Sequence, residues 1–278
     1  MTTRNATTRP APTRRAPTPH RQAVTFVLVT FAASWTIGYL AVAVLQIGDL
    51  GLGIGALVPG IVALVLTRRQ HGTVRPLWNR ITEWRITPRW YLAAVGIPFG
   101  ILTTAALITT NLGGAEPSQF GLLDAITWLP LMLVLFGGPE EPGWRGYLQP
   151  RLQHRYNAMT TSLLVGAVWV LWHTPLWLMP DSGFASISLP AYATLALGSS
   201  VIYTWLYNST GGNVLLPMLF HAAINAALMV LPDGALAMWT AAALAWTVAA
   251  GLLALHGPTD LASTGRTRSA TIDAPGPH

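Results

Sequence analysis

The chain contains no cysteine and no lysine. Without cysteine it has no disulfide, no thiolate nucleophile and no thiolate metal ligand, and it gives no clue to redox compartment. All sixteen basic residues are arginine, and acids number only ten in 278 residues. Charged side chains make up 9% of the chain, against about 25% in a soluble domain. That is too little polar surface to sit in water, and the mean hydropathy of +0.46 agrees. No His-Glu-x-x-His sequence occurs, which excludes a zinc-protease helix of that type. No Ser or Thr stands in a recognisable nucleophile motif.

Long apolar runs are present instead. A membrane-spanning helix needs about 20 mainly apolar residues. Eight stretches come close, over residues 22–47, 52–67, 90–111, 124–138, 160–179, 189–207, 213–231 and 235–255, the second and fourth being short. The expected fold is therefore all-α, a polytopic membrane bundle of about eight transmembrane helices. Residues 22–256 read as one membrane domain. Residues 1–21, rich in Thr, Pro and Arg and free of acids, read as a disordered cytoplasmic tail, and 257–278 as a second one. The first span is too long for the apolar region of a cleaved signal peptide and is expected to be retained.

Charge placement tests this map. Arginines cluster before the first span, between the second and third, after the fourth and after the eighth. The alternate loops carry Asp49, Glu116, Asp181 and Asp233 and no arginine. This is the positive-inside pattern, and it puts both termini in the cytoplasm of a multi-pass cell-membrane protein. The net charge of +6 is thus spent on juxtamembrane loops beside anionic lipid, and no nucleic-acid partner is expected. Trp35, Trp90, Trp128 and Trp177 fall near span ends and suit interfacial anchoring. Between Arg68 and Arg89, the spacing of Leu77, Trp78, Ile81 and Trp84 predicts a short interfacial helix, read as a lipid-facing connector.

Three polar clusters interrupt the later spans. Glu140 and Glu141 are the only adjacent acids, and Arg145 follows one turn later. An ionised group near a bilayer centre costs at least about 2.5–3.5 kcal/mol on insertion scales, so such residues usually carry function. Arg145 can neutralise one carboxylate and leave the other for chemistry. Pro142 lacks the N–H that a continuing helix uses, so a helix is expected to end at Gly137-Gly138 and another to begin at Pro142. Trp169 and His173 share a face of the fifth span, and His221 and Asn225 share a face of the seventh. Each of these pairs alone also suits ordinary helix–helix hydrogen bonding.

Together these side chains permit two chemistries. Glu140, His173 and His221 are ligand types for Zn²⁺ or another divalent metal with a position left for water. Without metal, a carboxylate in apolar surroundings can take a proton from water, a His can orient that water, and a second His with Asn can donate to an oxyanion. Both end in hydrolysis of an amide. An ion-coupled transporter is a rival reading, although Asn225 cannot titrate. A non-catalytic membrane immunity or scaffold protein is another.

The ordered set Glu140-Glu141-x-x-x-Arg145, Trp169-x-x-x-His173 and His221-x-x-x-Asn225 resembles the CPBP intramembrane proteases, also called the Abi or CAAX-protease group. The motif-bearing stretch is 124–231. The resemblance implies that Glu140 activates water with His173, that Glu141 and Arg145 support it, and that His221 and Asn225 bind metal or stabilise the oxyanion. Position 169 is Trp where that family commonly has Phe. The Glu-Glu-Pro-Gly-Trp-Arg-Gly form resembles bacterial members. The implied substrate is a membrane-associated peptide or protein, lipid-modified in some relatives. Arg145, Arg151 and Arg155, just beyond the carboxylates, lead to the expectation that the site is reached from the cytoplasmic side.

Overall fold

The computed structural model describes residues 17–45, 48–179 and 183–263. They are helical with no strand among them. Helix α1 (Pro19–Tyr39) starts where Thr18 caps it and Pro19 occupies the first turn, where a missing N–H costs nothing. It continues through a π turn, Leu40–Val44. Helix α2 (Gly48–His71) returns, α3 (Arg75–Thr82) is short, and α4 (Pro88–Asn111) crosses again. Helix α5 (Leu122–Val134) breaks before a 3₁₀ turn (Gly138–Glu140), α6 (Glu141–Gly143), a π turn (Trp144–Leu148) and α7 (Gln149–Gln153). Helix α8 (Ala158–His173), capped by Asn157, runs into a 3₁₀ turn (Thr174–Leu178). Helices α9 (Leu189–Ser209), α10 (Leu215–Leu228) and α11 (Ala235–His256) complete the bundle.

Among the described residues, five helical stretches are long and apolar enough to cross a membrane: Pro19–Tyr39, Pro88–Asn111, Leu122–Gln153, Ala158–Leu178 and Ala235–His256. Helix α2, of 24 residues, carries the uncharged apolar run 50–67, α9 has 21 residues at lower hydropathy, and α10 is shorter. The molecule is a polytopic helical membrane bundle. The second and fourth runs, short in the sequence, are longer in the structure because α2 extends into Arg68 and Arg69 and the fourth continues past its break to Gln153.

Two apolar packs make the core. Helices α1, α2 and α8 surround Trp144, Tyr147 and Leu148, while α4, α9, α10 and α11 close around Leu102, Tyr203 and Phe220. In the first pack, backbone meets backbone. A Cβ on Gly60 would lie 2.3 Å from the Pro139 carbonyl oxygen, and one on Gly143 would lie 2.7 Å from that of Pro59. Small residues allow this approach where no water competes for packing.

Helix α3 corrects the expectation of a lipid-facing connector. Leu77 is buried, and Trp78 and Trp84 alone of the apolar set are exposed. Arg80 pins the helix to the bundle, donating to the Gly212 carbonyl at 2.7 Å, to the Gly146 carbonyl at 3.3 Å and to the Tyr207 hydroxyl. Trp90 is likewise buried, packed edge-on against Trp205. The first residues of the C-terminal stretch are also packed: Pro258 and Thr259 carbonyls accept from Met159 and Ala158, and Leu261 is buried. Of the tails expected over 1–21 and 257–278, residues 19–21 already belong to α1, while 1–16 and 264–278 lie outside the described residues, as does Asp181.

Candidate active site

The site forms where the two packs meet, on the broken fourth crossing. Gly137 takes a left-handed conformation, φ +86°, which only glycine adopts at no steric cost. Its α-carbon is also pressed against α10, since a Cβ there would stand 2.5 Å from His221 Cδ2 and 2.7 Å from Asn225 Nδ2. The break therefore starts where expected, and helix resumes at Gly138, four residues before Pro142.

The two carboxylates are held quite differently, although both are buried, at 4% and 0% exposure. Glu140 Oε2 accepts indole N–H groups from Trp144 at 3.1 Å and Trp169 at 3.0 Å. Glu140 also lines an open, mainly apolar cavity of about 180 Å³, with Trp172, His173, Phe136 and Asn225 around it. Glu141 faces away from this space. His221 Nδ1–H donates to Glu141 Oε1 at 2.7 Å, and Arg145 Nε lies 3.6 Å from Glu141 Oε2. The Arg145 guanidinium is 1% exposed and sits over the Tyr203 ring, 4.2 Å from its centroid.

This geometry revises two expectations. His221 pairs with Glu141, whereas the sequence reading grouped it with Asn225 around Glu140. With Nδ1–H committed to Glu141, a neutral His221 presents a lone pair at Nε2. Arg145 and Arg151 are also not approach residues, being 1% and 5% exposed. Arg151 instead ties α7 to α1 and α2, donating to Gln22 Oε1 and Gln70 Oε1, each at 2.8 Å.

His173 and Asn225 remain beside Glu140. His173 Nδ1–H donates to the Trp169 carbonyl at 2.9 Å, which fixes the tautomer with the Nε2 lone pair free for a proton or a water. Asn225 lines the cavity, with Nδ2 3.4 Å from the Phe136 carbonyl. Among the described residues, no three His, Asp or Glu side chains converge as a metal-ligand set. Glu140, His173 and His221 therefore do not make the three-ligand centre that zinc hydrolysis needs.

Sequence reasoning missed Trp144 as a donor, Tyr203 beneath Arg145, and the contribution of α1 and α2 to the cavity through Ser34, Gly38, Gly55 and Ala56. The glycines spaced along the start of α2 are the one signal that hinted at close approach there.

A buried carboxylate facing a cavity beside His and Asn, inside a polytopic bundle, is an arrangement that can hold and deprotonate a water. Comparison with known proteins agrees. The model of the family described as type II CAAX prenyl endopeptidase Rce1-like matches residues 122–227, the segment that carries all three polar clusters. The chain is also 27% identical over 189 residues to CAAX prenyl protease 2 of Methanococcus maripaludis, covering 62% of this chain and 68% of that protein. Over residues 122–227 the chain is thus similar to the CAAX-protease group of intramembrane proteases.

Proposed function

We propose that this protein is an intramembrane endopeptidase in which Glu140 activates water to cut a peptide bond of a membrane-associated protein or peptide. The carrying observation is the asymmetry of Glu140: Oε2 is fixed by two indole N–H groups, while the side chain borders the cavity shared with His173 and Asn225. A carboxylate so fixed keeps one oxygen oriented and leaves the other to take a proton from water. The His173 Nε2 lone pair orients that water, and the proton that Glu140 takes from it is passed on to the leaving amine as the C–N bond breaks. The Asn225 amide donates to the oxygen that gains charge on the peptide carbonyl. Glu141, Arg145 and His221 hold α6 and α10 together and act by positioning.

The protein works in the cell membrane, with both termini on the cytoplasmic side and lipid around the bundle. No step is routed through a metal, because the ligand types present do not converge. The deciding experiment is peptide cleavage by purified wild type, Glu140→Gln and His173→Ala. Loss of about 10²–10⁴ in rate is expected of either variant, the usual contribution of a positioned acid or base. Cleavage at the wild-type rate by both would remove the site.

A further inference from the structure

The cavity and the arginines lie at opposite ends of the bundle. The start of α1, the end of α2, α3, the start of α4, the α7–α8 junction and the α9–α10 turn share one face, which carries every described arginine outside the core. The cavity is built from the other ends. Gly55 lies about 10 Å from the first residue of α2 and about 24 Å from its arginine end, and His173 lies about 22 Å along α8 from Ala158, at 1.5 Å per residue. Pro175, Leu176 and Met179, which complete the wall, belong to the connection after α8 on the arginine-free face. Trp35, 42% exposed, stands at the rim, its indole N–H bonded to the Trp172 carbonyl at 3.0 Å.

The way from Glu140 to the arginine face is filled. About 20 Å of helix separates Glu140 from Gln153. Along it Trp144, Tyr147, Leu148 and Gln149 are each no more than 1% exposed. That packing leaves no opening for a peptide beside these side chains.

We infer that substrate enters the catalytic cavity from the side of the membrane opposite the arginine-rich loops. Since such loops stay in the cytoplasm, the site takes an apolar peptide segment presented at the extracytoplasmic face, such as the outer end of a membrane-anchored chain. This inference rests on the proposed endopeptidase reading for the word substrate, but the access route stands on the cavity alone. It replaces the cytoplasmic approach expected from Arg145, Arg151 and Arg155.

The cysteine-free chain makes the test direct. Gly55→Cys and Gly38→Cys each place one thiol in the cavity, where a new Cβ meets nothing within 4 Å. Gln119→Cys marks the arginine-free face and Thr82→Cys marks α3 on the other, both at exposed positions. Each full-length variant is treated in oriented membrane vesicles with a small methanethiosulfonate carrying a fixed positive charge. The cavity thiols are expected to react from the side that labels Gln119→Cys, at least tenfold faster than from the side that labels Thr82→Cys. Reaction from the Thr82→Cys side, or from neither side, overturns the inference. Labelling as expected in a protein whose Glu140→Gln form still cleaves would keep the access route and discard the hydrolytic assignment.

Discussion

The Trp169 indole donates to Glu140 at 3.0 Å while meeting His173 and His221 edge-on, with ring centroids 5.3 and 5.1 Å away. One ring thus fixes the carboxylate and spaces the two histidines. Trp169→Phe keeps the aromatic packing and removes the N–H, leaving Trp144 as the remaining donor. A hydrogen bond to a charged group is worth about 1.5–3 kcal/mol, so kcat should fall roughly tenfold or more, with little change in KM or melting temperature. An unchanged kcat would mean that Trp169 only packs.

The division between the carboxylates should be visible in stability. Glu141→Gln leaves the Arg145 guanidinium buried without its counter-charge, and breaking a buried pair from one side costs about 3–5 kcal/mol. Its melting temperature in detergent should fall well below that of Glu140→Gln, which breaks no ion pair. Equal melting temperatures would show that Glu141 is not the structural partner.

Gly137→Ala strains the backbone and drives a methyl into His221 and Asn225. A strained left-handed residue costs about 1–3 kcal/mol, and the displaced Asn225 should lower kcat further. Thermal denaturation and cleavage rate measured together should both decline. A variant with full activity would disconnect Asn225 from the reaction.

Because the ligand types do not converge, cleavage should survive prolonged chelation, and the purified protein should hold metal well below one equivalent. Loss of activity on chelation, restored by a stoichiometric divalent ion, would refute the carboxylate mechanism.

The helical class, the crossings and the clusters bearing Glu140, His173 and His221 were legible from the sequence, because apolar run length and helical spacing are local properties. The partner of each group was not. His221 and Glu141 are 80 residues apart, and the spacing of His221 and Asn225 on one helix face suggested a joint role that tertiary packing divides between two carboxylates. Leu77 illustrates the same limit, since its amphipathic spacing fits a membrane surface as well as the protein surface it covers.

The sequence by itself determined that this chain lives in a membrane, where its arginines lie along the chain, and that Gly137 and Pro142 interrupt a crossing. Local chemistry suffices for these, since bilayer thickness and the missing proline N–H act on each segment alone. Only the tertiary structure decided that Trp144 and Trp169 hold Glu140, that Arg145 and His221 go to Glu141, and that the cavity opens away from the arginines. Those depend on which helix ends meet, and the close approach of α2 to Pro139 and Gly143 that sets them is a property of the folded packing.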